Sequence, residues 1–204
     1  MIRKSILALS LLVMTLGTVA VSAGAANASV GPHKTTPPVT FTGKITCAIA
    51  KTSTITFKPG LPFGPKTAKV TITVNASLTN CKGKTSQGGA TIVSGTATGK
   101  TTVSASCESL VTSVPSPKGT IVWTTKAKGK TAADSTTTLS KGKLTASKAG
   151  IVTETFDSKQ KGSFAGSGSV EMVLVPTETQ LLAACGTKAG LTKIKVASGK
   201  LVAG

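Results

Sequence analysis

Tyrosine is absent from this chain, and histidine, tryptophan and arginine occur once each, as His33, Trp123 and Arg3. Each shortage closes a class of function. A Ser-His-Asp or Cys-His centre needs a histidine in a folded site, and His33 falls in a proline-rich stretch with no apolar period. A copper oxygenase centre needs a histidine at the mature terminus and another elsewhere. Zinc sites fail for the same lack, so neither a metal nor a cofactor is expected. Readers of single-stranded nucleic acid and exported carbohydrate binders display aromatic platforms; one tryptophan and no tyrosine is thin for either, and nucleic acid is not an expected partner. With no arginine beyond Arg3, a shaped bidentate anion pocket is not expected either. Acids number only six. Paired-carboxylate hydrolysis, which needs two of them, is the one catalytic option left open, and an enzyme is not the expected reading.

What is present begins with a leader. MIRKS, an apolar run from Ile6 to about Val21 and small residues ending at Ala26-Asn27-Ala28 have the order of a Sec-type signal peptide. Cleavage is expected after Ala28, with Ala25 as second choice, giving a secreted, extracellular product. The expected division is a signal peptide over 1–28, a flexible lead-in over 29–40 (SVGPHKTTPPVT) and one domain over 41–204. Four cysteines in an exported chain imply two disulfides. Cys47–Cys81 and Cys107–Cys185 are the preferred pairs, and the other two connectivities stay open. Once Arg3 and Lys4 leave with the leader, 22 of the 24 basic residues remain, all lysine, against six acids, a formal charge of +16. Lysine is a solvated point charge. The expected partners are therefore anionic envelope polymers or a lipid surface, held by diffuse attraction, with solubility as the plainer meaning.

The apolar pattern has period two along most of the domain. Phe41 to Ile49 alternates with Cys47 inward, and Ser53, Ile55 and Phe57 mark a second short strand. Lys69–Thr79 is the cleanest, with Val70, Ile72, Val74, Ala76 and Leu78 on one face. Ala90–Ala97 and Thr101–Cys107 read as two strands joined near Gly99-Lys100, and Thr120–Lys128 carries Ile121 and Trp123 in the core. Ser135–Ser140 is expected to turn at Lys141-Gly142-Lys143. Ile151–Phe156 is expected to turn through Asp157–Gly162 into a long strand, Ser163–Val175. Thr177 and Gln180 have capping-box spacing ahead of a short helix that delivers Cys185. Lys193–Val196 and Lys200–Val202 look like a closing hairpin around Ser198-Gly199. About ten short strands, one short helix near the C-terminus and no βαβ pattern give an all-β fold, a single antiparallel β-sandwich or β-barrel.

Two places stand out as candidate sites. Lys58–Lys66 (KPGLPFGPK) reads as a loop carrying Leu61 and Phe63. These are candidate contacts for a ligand or partner, or a loop folded back over one end of the core. Glu154 shares its parity with Val152 and Phe156. With that face buried it would be a carboxylate in an apolar setting; with the strand flipped, Ile151 goes inside and Glu154 is a surface acid. The surface placement is the one expected, and Glu154 and Glu171 are not expected to pair. Gly162, Gly166 and Gly168 have no following helix to offer phosphate, so they serve close packing or bends. The functional expectation is a secreted non-catalytic module of the cell envelope. The alternative is a β-barrel holding a small apolar ligand, entered beside Leu61 and Phe63.

The segments NCKG at Asn80–Gly83, SCESLV at Ser106–Val111, GTIVWTTK at Gly119–Lys126 and TETFDSKQKGSFAGSGSVEMVL at Thr153–Leu174 resemble a loosely defined group of secreted actinobacterial proteins of unknown function. The resemblance spans most of the chain after the leader and rests on structural features: cysteines, a strand tryptophan and a glycine-rich hairpin. It implies export and a β-rich domain, and brings no catalytic or binding residue with it.

Overall fold

A computed structural model describes residues 37–83, 90–112, 117–126 and 131–204. The leader, its cleavage site, His33, Pro115 and the turns expected over 84–89 and 128–130 lie outside the described residues. Nine antiparallel strands follow one another: β1 (Ile45–Ile49), β2 (Thr54–Leu61), β3 (Ala68–Gly83), β4 (Ile92–Ala105), β5 (Lys118–Thr125), β6 (Ser135–Ala146), β7 (Val152–Gly162), β8 (Gly166–Leu174) and β9 (Leu191–Ala203). Helix α1 (Cys107–Thr112) sits between β4 and β5, and α2 (Glu178–Cys185) between β8 and β9. From β2 to β9 each strand pairs with the next or with its partner across the closing seam, where β9 meets β2 and β1. The fold is thus the all-β antiparallel domain expected, made as one sheet whose ladder returns on itself.

The seam shows how the ring closes. β1 and β2 lie end to end in a single strand position, both between β3 and β9. The break between them is bridged by buried Ser53: its hydroxyl accepts from the Ser77 N–H at 3.1 Å and its carbonyl accepts from the Val196 N–H at 3.1 Å. A buried interruption of a ladder leaves backbone groups that need such partners.

Fewer and longer strands form than the turn residues predict. β4 runs unbroken through Gly99-Lys100, because β3 pairs with it continuously from Ala68↔Ala105 to Leu78↔Gly95. β6 passes Lys141-Gly142-Lys143 as a bulge, with Lys141 at φ 51°, and β9 passes Ser198-Gly199. β2 includes Lys58-Pro59-Gly60, which composition had made a loop. β7 continues through the whole of Asp157–Gly162, and the hairpin turns at 163–165 instead, with Phe164 at φ 56°. At Gly99-Lys100, Asp157–Gly162 and Ser198-Gly199 strands paired on both sides override local glycine and lysine signals. Val39, placed in the flexible lead-in, donates to the Thr131 carbonyl at 2.9 Å and accepts from the Ala133 N–H at 2.9 Å, so the ordered chain starts ahead of Phe41.

The disulfides are Cys47–Cys81 and Cys107–Cys185. The first depends on a bulge. Inward residues of β3 are even-numbered from Val70 to Leu78, so Cys81 would face out. Asn80, at φ 50°, takes up an extra residue where Thr46 pairs with Lys82 but Ala48 with Thr79. The parity flips, and Cys81 meets Cys47. The second ties the start of α1 to the end of α2 at one end of the ring, beside the paired Leu61 and Leu191. At the opposite end Phe164 packs between Phe41 (centroids 6.0 Å apart) and Trp123 (5.0 Å, edge-on). Trp123 Nε1 donates to Ser135 Oγ at 2.8 Å, which donates to the Ser163 carbonyl. Trp123 is therefore a core residue, its polar atom satisfied.

Candidate functional site

All nine strands contribute to the wall of a cavity of about 90 Å³ inside the ring. Most of that wall is hydrocarbon, because inward positions on β1, β2, β3, β8 and β9 are Ile, Val, Leu, Phe and Met. On β4 the wall is made by small residues, Ala97 and Gly99, which face Ile121 and Gly119 of β5 across the ladder. A larger side chain at Ala97 would enter the space, whereas the Gly99–Gly119 pair lets β4 and β5 approach closely, since a Cβ at Gly119 would stand 2.4 Å from the Thr98 carbonyl oxygen.

Glu154 lies in this wall. It stands between Val152 and Phe156 on β7, opposite Leu144 of β6 and Met172 of β8. It is 6 % exposed, and its Oε2 has no hydrogen-bond partner. Burial pushes its pKa from 4.5 to about 7. Lys118, exposed at the start of β5, is the other ionisable residue on the wall. Among the described residues the one ion pair is Lys141–Asp157, 3.0 Å apart on the outer surface. Thr137 on β6 adds a second buried oxygen without a partner, its Oγ1, to the same wall. One register step away, Gln160 lies directly across from Thr137, and Ser158 across from Leu139; both are buried, and Ser158 Oγ and the Gln160 amide lack partners too.

This placement corrects the surface reading of Glu154. Asp157, Lys159 and Lys161 share one parity and all face solvent, so the even positions of β7 must face in. Ile151 precedes the strand and is half exposed, at 49 %. The alternation of charge at 157, 159 and 161 was the available signal. It was masked by taking those residues as a turn, and the same step hid Ser158, Gln160 and Thr137.

The other candidates are not brought to this site. Leu61 is fully buried at the end of the ring that carries the helices, and Phe63 is 64 % exposed. Neither lines the cavity. They do not form a pair, and entry to the interior beside them finds no support. Glu171 faces outward opposite Lys200, while Glu154 faces inward opposite Met172. Among the described residues, Glu154 is the one acid on the cavity wall. No family model, no curated protein and no solved structure matches the chain.

Proposed function

We propose that this chain is a non-catalytic exported binding protein whose closed sheet holds a small, mostly apolar molecule. One observation carries the reading: a cavity of about 90 Å³, walled by residues from every strand. It is smaller than the ~150 Å³ engineered cavity that admits benzene, so the ligand has few heavy atoms, or flexible Met172 moves to admit more. The two disulfides fit an oxidising compartment. Xenon enters dry apolar cavities, and it tests the space directly. Under xenon pressure, the methyl resonances of Met172, Ile194 and Val170 are expected to shift saturably. Ala97→Leu, which fills the space, is expected to remove the shifts. Unshifted methyls in the folded wild-type protein would refute the reading.

A second reading concerns the outer surface. Every described lysine is exposed, and only Lys141 is ion-paired among them. The exterior is thus available for diffuse attraction to anionic envelope polymers.

A further inference from the structure

The cavity has a polar element that a purely apolar ligand would leave unused. Glu154 is more than nine-tenths buried, and its Oε2 has no partner. Thr137 Oγ1, also buried and unpartnered, lies on the same wall but farther along the ladder, opposite Gln160, out of reach of the carboxyl. Around the carboxyl, β7 offers Val152 and Phe156, β6 Leu144, and β8 Val170 and Met172. None of these can neutralise it. The ionisable residue nearest in the wall is Lys118, which makes no ion pair with it. Glu178, on α2, lines a separate void beyond Leu144.

An ionised carboxylate only accepts hydrogen bonds, whereas an ammonium carries three donors. A lone carboxylate in hydrocarbon is costly, and a partner of opposite charge recovers much of that cost when its own donors are also satisfied. An alcohol would bring the carboxylate a hydrogen bond without an opposite charge; a primary ammonium brings both.

We propose that the cavity takes a small aliphatic amine, its nitrogen donating to Glu154 Oε2 and its hydrocarbon part lying against Phe57, Ile72 and Met172. This rests on the reading of the cavity as a ligand site and names the ligand class. Since burial holds the carboxyl protonated up to about pH 7, and aliphatic amines stay protonated well above that, binding strengthens from pH 5 to pH 8 as Glu154 ionises.

The test uses the full disulfide-bonded chain and three probes of one shape: n-butylamine, n-butanol and butyrate, followed by calorimetry and by methyl shifts of Met172. Butylamine is expected to bind at least about tenfold tighter at pH 8 than at pH 5, and tighter than butanol at pH 8. Glu154→Gln is expected to bring butylamine down to the level of butanol while butanol binding persists. In the wild-type protein, saturating butylamine is expected to lower the titration midpoint of the Glu154 carboxyl carbon, a readout that needs no variant to fold. Equal binding of butylamine and butanol, or an unmoved midpoint, overturns the amine assignment and leaves the cavity reading standing. Tighter butyrate binding that Lys118→Gln abolishes overturns it in favour of an anion. Failure of all three probes to bind overturns both readings.

Discussion

A single carboxyl decides how this protein responds to pH. The pKa of Glu154 is about 7 in the folded state against an ordinary 4.5, because burial penalises the charged form. The folded state therefore holds a proton that the unfolded state has already released. Its contribution is fully present below about pH 4.5 and is lost as pH rises to 7. At 1.36 kcal/mol per unit, that loss is about 3 kcal/mol. The expected outcome is a urea midpoint that falls between pH 4.5 and 7 in the wild-type protein. In Glu154→Gln, whose side chain does not titrate, the midpoint stays nearly flat over that interval. A wild-type midpoint that is flat there would mean that the carboxyl is already charged and compensated in the fold. Most exported domains gain stability over this range as surface carboxylates ionise into favourable settings, so the sign of the slope is diagnostic.

The hairpin of β7 and β8 positions that carboxyl, and its register depends on one close approach. At Gly168 a Cβ would stand 2.0 Å from the Val202 carbonyl oxygen of β9 and 3.0 Å from Ser158 Oγ of β7. The glycine lets β8 lie tight between its neighbours while Val170 and Met172 reach the cavity wall. Gly168→Ala must push β8 away from β9. The expected loss is about 1–3 kcal/mol, read as a lower denaturation midpoint with faster amide exchange in β8 and β9. An unchanged midpoint would show that the ladder there has slack. The role of Gly168 in close packing was legible in the sequence, as were the inward faces of β3 and β8, the buried Trp123, the capped α2 and the preferred cysteine pairs. Each of these rests on a local rule: alternation, a capping box, cysteines at the ends of strands and of a helix. What could not be read was where strands stop. Lys-Gly-Lys at 141–143, Gly99-Lys100 and Asp157–Gly162 all carry turn chemistry, yet each lies inside a strand. The partners that hold them there are set by closure of the whole sheet, which no local window contains. The site went unseen for a related reason: with Asp157–Gly162 taken as a turn, the outward row Asp157, Lys159 and Lys161, which puts Glu154 on the inner face, was not read as strand.

At the scale of the molecule, the ring separates a nearly uncharged interior from a lysine-covered exterior. The lysines are spread around it: Lys58 on β2, Lys69 on β3, Lys100 on β4, Lys118 on β5, Lys141 and Lys143 on β6, Lys159 and Lys161 on β7, and Lys193, Lys195 and Lys200 on β9. Some stand in rows, as where Lys100 pairs with Lys118, which pairs with Thr138 and then Lys159. Like charges directly across a ladder repel, and a polyanion laid over such a row relieves the repulsion. Other lysines face a different side: Lys193 and Lys195 stand opposite Thr56 and Thr54. With a formal charge of +18 on the whole chain and a Debye length of about 10 Å at 0.1 M salt, an anionic polymer meets a positive field from most directions. A diffuse field of this kind makes a definite prediction. Replacing Lys100, Lys118 and Lys159 by Gln, or Lys58, Lys193 and Lys195 by Gln, removes the same charge from opposite parts of the surface. Both variants are expected to elute from a sulfated polysaccharide column at lower salt than the wild-type protein, and by the same amount. If only the first set elutes early, the row is a shaped binding face and the attraction is not diffuse. If neither set moves, the lysines serve solubility alone, and function rests with the interior.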